Sequence, residues 1–291
     1  MKKTKQNKPV KSSLTKRSIQ KFMKNRLAIV GLIGLFLLLT ACICAPLLTS
    51  YDPGFIDLTQ KSLPMSAEHP LGTDRLGRDL LARVLYGGRW SLLIGIAASL
   101  GTNLLAAILG CVSGYYGGKV DRTLVTVQEF MSLFPTTLIF ILLAGITGRS
   151  INIVLAIWIL TGWGGTMRIV RSRILSLKQE PFVESCRANG ISSFSIMFHH
   201  MVPNTMGPII LNVTMNVGGY VLSEAGLTYL GIGLPADIPT WGNILNGAKR
   251  MDILLNEPLL WMVPGAAILL LTLSINFFGD GLRDALDSTT K

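Results

Sequence analysis

A chain of 291 residues is long enough for two soluble domains, but 49% of its residues are hydrophobic, only 15% are charged and the mean hydropathy is +0.49. That composition makes the bilayer its solvent. The formal charge of +11 would suggest nucleic acid in a soluble protein, yet the basic residues cluster at the ends and between apolar runs, without aromatic–basic interleaving, which argues for positive-inside topology and against nucleic-acid binding.

Residues 1–26 hold ten Lys or Arg and no acid, and residues 27–48 carry no charge. This predicts a basic cytoplasmic tail (1–26) and a first spanning helix (27–50), an uncleaved anchor because no small-x-small cleavage site precedes Tyr51. Residues 51–90 are polar and balanced, with Asp52, Asp57, Glu68, Asp74 and Asp79 against Lys61, Arg75, Arg78, Arg83 and Arg89, as expected of an extracytoplasmic or interfacial segment in which Arg83 snorkels or packs.

Five further spans are predicted over residues 91–291. The second, about 91–110, has Gly95, Gly101 and Gly110 for close helix contact. The turn at 114–119 is not a phosphate loop, since Val120 stands where Ser or Thr must reach magnesium and Ser113 where the leading Gly belongs. The third span, about 124–143, carries Glu129 near its cytoplasmic end and Pro135 within it, and the fourth covers about 151–167. Arg168, Arg171, Arg173 and Lys178 then mark a return to the cytoplasm.

The fifth span, about 208–230, is the most polar: Asn212, Asn216, Gly219 and Ser223 fall on one face, with Tyr220 and Glu224 on its flank. A polar stripe in lipid must face protein or water, so it lines a solute path or makes helix-to-helix hydrogen bonds. An outer loop over 232–258 carries Trp241, which with Trp261 suits the membrane boundary, and a last span covers about 259–278. The fold class is all-α: a polytopic membrane protein of six spans with both ends cytoplasmic. Asp280, Asp284 and Asp287 read as a solvated helix end, while Cys42, Cys44, Cys111 and Cys186, like His69, His199 and His200, lack metal spacing.

Between the fourth and fifth spans lies a polar island, 180–204. Pro181 suits a helix start, Gly190 the left-handed position that ends one, and Ser192 or Ser193 a second cap. A second helix with Ile191, Phe194, Met197, Phe198, Met201 and Val202 on one face then runs to Pro203. From pattern alone, an amphipathic loop lying on lipid headgroups fits as well.

Glu184-Ser185-Cys186, then Gly190, then Pro203, resembles the "EAA" loop of membrane subunits of binding-protein-dependent ABC importers: Glu-Ala-Ala, three residues, Gly, nine residues, Ile, one residue, Leu-Pro. It departs at Ser185, Cys186, His200 and Val202. Residues 24–31, 69–92, 223–231 and 277–287 are similar to the "C" permeases of the oligopeptide, dipeptide and nickel group. The resemblance implies that Glu184, Ser185, Cys186, Arg187, Gly190, His200, Val202 and Pro203 couple the spans to an ATPase. It implies a second homologous permease subunit, two cytoplasmic ATPase subunits that carry ATP and magnesium, and an extracytoplasmic solute-binding protein. The chain itself would be a transport subunit of the plasma or inner membrane, not an enzyme, and would hold no cofactor. Asn212, Asn216, Tyr220, Ser223 and Glu224 are the candidate translocation path. Oligopeptide or dipeptide is the expected cargo and nickel or a metal chelate the alternative; an ATP-independent secondary transporter is the rival class, for which no inverted repeat is visible.

Overall fold

The computed structural model describes residues 14–286. The tail residues 1–13 and Asp287 lie outside the described residues.

Helices α1 (Leu14–Lys24) and α2 (Arg26–Ile43) are divided at Asn25, whose side chain accepts from the Ala28 N–H at 3.2 Å and donates to Asp284 at 3.2 Å. A single turn, α3 (Ala45–Leu48), leads to an irregular stretch over 49–79. Asp79 then caps α4 (Leu80–Tyr116) through the Ala82 N–H at 2.6 Å. At 37 residues, α4 is about 55 Å long, more than a bilayer needs. The predicted second span is therefore only the middle of one continuous helix.

Next come α5 (Gly118–Ser132), α6 (Thr136–Thr147), α7 (Ile151–Thr161), α8 (Gly164–Leu177), α9 (Pro181–Ala188) and α10 (Ser193–Ser195). After them run α11 (Met206–Tyr229), α12 (Trp241–Gly247), α13 (Met251–Asn256) and α14 (Leu259–Leu286). No strand occurs among the described residues. Helices α2, α4 and α14 are each long and apolar enough to cross a membrane. Two bent pairs, α5 with α6 at 78° and α7 with α8 at 40°, qualify as broken spans or re-entrant loops. Counting each bent pair as one segment gives five, and α11, 24 residues long but more polar, is the sixth membrane segment.

The unbroken third and fourth spans of the sequence reading are thus corrected. Pro135 has extended backbone and starts α6 instead of kinking one helix, because it has no N–H to donate and forces Phe134 away from helical geometry. The second break falls at Gly162 and Trp163.

Helix α4 is the axis of the bundle. A Cβ on Gly95 would meet Val221 of α11 at 2.5 Å, one on Gly101 would meet Ile159 of α7 at 2.5 Å, and one on Gly110 would meet the Met167 carbonyl of α8 at 2.7 Å. Each of the three glycines admits a different neighbour. Leu32, Phe36 and Leu37 of α2 and Leu269 and Leu270 of α14 remain exposed, as lipid-facing side chains do.

At the N-terminal end of α4, residues 51–79 form a tied cap. His69 lies 2.9 Å from both Asp79 and Gln60 and stacks on Tyr51, with ring centroids 4.7 Å apart. Arg78 pairs with Asp74 at 2.7 Å, and Arg75 reaches across to Asp252 and Glu257 of the 231–258 segment. That hydrogen bond from Arg75 holds the Asp252 carboxyl below its ordinary range. Arg83 does not snorkel: it is 3% exposed, donates to the Pro53 carbonyl and lies 3.8 Å from Asp74. Trp241, expected at the membrane boundary, is instead 1% exposed and donates to the Val84 carbonyl at 2.9 Å. Its indole packs where Gly88 leaves room on α4.

Candidate functional site: the groove of α11 and the loop before it

The polar face of α11 opens on empty space. Asn212, Asn216, Gly219, Tyr220 and Ser223 line a cleft of about 340 Å³ whose opposite wall is the α7–α8 bend, with Gly162, Gly165, Thr166 and Ile169. A second cleft of about 570 Å³ shares Gly162, Tyr220 and Ser223 with the first and continues past Phe140 and Trp158 to Leu230. Together they make one groove along α11.

Tyr220 is held rigidly in that wall. Its hydroxyl donates to Thr102 at 3.0 Å, Thr102 donates to the Trp158 carbonyl at 3.4 Å, and the Trp158 ring lies 5.2 Å from its own. Asn212 bonds within its helix, to the Pro208 carbonyl at 2.8 Å. Glu224 does not line either cleft: it is 1% exposed and its carboxylate accepts from Ser91, Thr228 and Thr240, facing α4 and the 231–240 stretch. One position along a helix rotates a side chain by about 100°, enough to separate Glu224 from the groove-lining Ser223.

At the other end of α4 lies the 180–205 loop. Helix α9 starts at Pro181 and ends in a Schellman motif: Gly190 N–H bonds the Arg187 carbonyl at 3.0 Å, and Ile191 N–H bonds the Cys186 carbonyl at 3.1 Å. Gly190 has φ +73°, the left-handed value expected of it. The regular second helix does not form. Three residues of α10, capped by Ser192, give way to a π-turn over Ile196–Met201 and a 3₁₀ turn over Val202–Thr205. Pro203 cannot make the i→i−4 bond, so the backbone widens and then tightens before α11 begins.

This loop is welded to the bundle by its apolar face. Val183, Ile196, Met197 and Met201 are buried against Cys111 and Tyr115 of α4, Val170 and Ile174 of α8, and Ile209 of α11. The Tyr115 hydroxyl donates to Ser193 at 3.3 Å, and the Arg187 guanidinium sits 5.2 Å above the Tyr115 ring. Cys186, His200 and Val202 are half-buried, while Glu184, Ser185, Arg187, Gly190 and Pro203 are exposed. Phe194, expected on the packed face, is 63% exposed beside Phe198. The outward surface of the loop is therefore both charged and aromatic.

Two arrangements, the first buried and the second half-buried, went unread in the sequence. Ser99 donates to the Val213 carbonyl at 2.6 Å, Asn103 donates to the Ser99 carbonyl at 2.8 Å, and Thr166 donates to Asn103 at 2.8 Å, joining α4, α8 and α11. The step of four between Ser99 and Asn103 inside an apolar run was the available signal. Arg171, noted only as a topology marker, makes two bonds of 2.5 Å to Asp121, which also accepts from Ser113.

A bundle of six membrane segments, with a polar groove on one helix and a rigid loop packed on the ends of three, defines a permease-type membrane component. Residues 106–291 match the family described as binding-protein-dependent transport system inner membrane component, and residues 13–64 match the N-terminal TM domain of oligopeptide transport permease C. The chain belongs to the family of binding-protein-dependent transport system inner membrane components. It is similar to the dipeptide transport system permease protein DppC of Alkalihalophilus pseudofirmus, 37% identical over 95% of this chain and 90% of that one. The oligopeptide transport system permease proteins OppC of Escherichia coli and Bacillus subtilis are 36% and 35% identical, each over 94% of this chain and over 91% and 90% of their own.

Proposed function

We propose that this chain is one membrane subunit of an ATP-driven importer and forms half of its path for oligopeptides or dipeptides. The observation that carries this reading is the direct continuity of the two sites: the loop over 180–205 runs without interruption into α11, whose polar face is the groove wall. A force on the loop is passed to the groove through the packed side chains of Ile196, Met201 and Ile209. The names of the relatives, components of dipeptide and oligopeptide transport systems, support the cargo.

Glu184, Ser185, Arg187 and Phe194 offer the outward surface that a cytoplasmic ATPase subunit would grip. Two such subunits would bind and hydrolyse ATP with magnesium, and their closure would bias the bundle between inward-facing and outward-facing arrangements. An open polar groove is costly against lipid, so a second, homologous permease subunit would cover it, meeting the exposed Ile169, Tyr229 and Leu230 in its lining. A solute-binding protein would deliver cargo at the opposite, extracytoplasmic end.

Two experiments test this. Asn216→Leu and Asn212→Leu, singly, are expected to cut peptide uptake roughly threefold to tenfold, the worth of about one hydrogen bond, while the complex still assembles. Wild-type uptake by both variants would remove the groove from the path. For orientation, cysteines are placed one at a time in a background without the four native ones. Ser66→Cys should label with an impermeant reagent in intact cells and Gln179→Cys should not; the reverse pattern would invert the topology.

A further inference from the structure

Three hydroxyl groups converge on the Glu224 carboxylate, and each is already engaged from behind by a backbone N–H. Trp241 N–H donates to Ser91 Oγ at 3.2 Å, and Ser91 donates onward to Glu224 Oε2 at 3.5 Å. Leu234 N–H donates to Thr228 Oγ1 at 3.2 Å, which donates to Glu224 Oε1 at 2.9 Å. Asn243 N–H donates to Thr240 Oγ1 at 3.2 Å, which donates to the same Oε1 at 2.9 Å.

A backbone N–H can only donate, so in each of these pairs the hydroxyl oxygen is the acceptor. Each hydroxyl accepts one amide from behind and keeps its own proton, which the nearby Glu224 oxygens can accept. Two hydroxyls meet Oε1 and one meets Oε2, an arrangement that a carboxylate of this length fills with an acceptor at both oxygens.

The three amides belong to one stretch of chain. Thr240 is the N-cap of α12, and Trp241 and Asn243 lie in its first turn. Leu234, 2% exposed, packs in the cluster of Phe140, Trp158 and Leu227, which line the end of the groove farther from the 180–205 loop. Backbone approaches backbone here: a Cβ on Gly87 would stand 2.4 Å from the Pro239 carbonyl.

We propose that Glu224 is a positioning residue, an acceptor hub that ties residues 231–243 to α4 and α11 and so sets the shape of the far end of the groove. Its bearing on transport rests on the proposed function; its role as a hub does not.

Hydrogen exchange on the full chain in lipid nanodiscs separates the cases, with Glu224→Met and Glu224→Gln beside the wild type. Met keeps the length and removes both acceptors, so the amides of Leu234, Trp241 and Asn243 should exchange about tenfold faster while α2 and α14 keep wild-type protection. Gln keeps one acceptor oxygen for the two threonines and presents a donor to Ser91, so its effect should centre on Trp241. Wild-type exchange over 231–243 in the Met variant would overturn the hub, and so would acceleration spread evenly over all helices. If Glu224→Met fails to fold, Thr240→Val and Thr228→Val should each free chiefly their own amide, Asn243 or Leu234; unchanged exchange at both would overturn the proposal.

In cells, Glu224→Met should lose maximal uptake rate with half-saturation near the wild-type value, because Asn212, Asn216 and Ser223 are untouched. Full uptake by a variant whose 231–243 amides are freed would refute the part in transport. A wild type that carries no peptide would sink the proposed function and leave the exchange result to decide the hub.

Discussion

Gly190→Val is expected to give a permease that inserts normally and takes up peptide at less than about a tenth of the wild-type rate. The φ of +73° at Gly190 is a conformation that a β-branched residue adopts only at a cost of roughly 1–2 kcal/mol. No other group of this chain lies within 4 Å of a Cβ built there, so within the chain the effect comes from backbone strain and not from a collision. Relief of that strain would undo the Schellman bonds from Gly190 and Ile191 and turn α9 relative to the π-turn that follows. The six segments pack independently of this bend, so expression and membrane insertion should not change. Asn tolerates left-handed backbone and is the control: Gly190→Asn should retain most uptake. Wild-type uptake by Gly190→Val in a complex that still holds the proposed ATPase subunits would show that the loop transmits no motion.

Trp241→Ala should cost the bundle about 3–5 kcal/mol of stability, the usual price of removing a buried aromatic side chain and leaving its cavity. The indole fills the space between α2, α4 and α12 beside Leu38, Cys42 and Leu80, and it contributes the one side-chain bond to the Val84 carbonyl. Trp241→Phe would keep most of the volume and lose that bond, for a cost nearer 1 kcal/mol. Denaturant unfolding in detergent micelles would measure both. Equal losses for the two variants would mean that the hydrogen bond, not the volume, matters; no loss from Ala would place Trp241 outside the core.

Much of the site was legible because its signals are local. Pro181, Gly190 and Ser192 announce a helix start, a left-handed stop and a new cap through their own backbone chemistry, and each occupies that position. The stripe of Asn212, Asn216, Gly219 and Ser223 was legible by helical period alone and lines one cleft. The run from Ile191 to Val202 failed as a regular helix because its apolar spacing carries no information about how Pro203 distorts the turns before it.

The sequence by itself determined the solvent, the all-helical class, the approximate places of six membrane segments and the resemblance that the family match bears out. Hydropathy, charge runs and caps act within a few residues of where they are written. Tertiary structure alone decided that α4 runs unbroken for 37 residues, that α5–α6 and α7–α8 bend by 78° and 40°, and that Arg83 and Trp241 are buried. It also decided that Ser223 faces the groove while Glu224 faces three hydroxyls. The rotation of a helix about its axis is set by partners far away in the chain, here Ser91 and Thr240, and no periodicity within α11 encodes them.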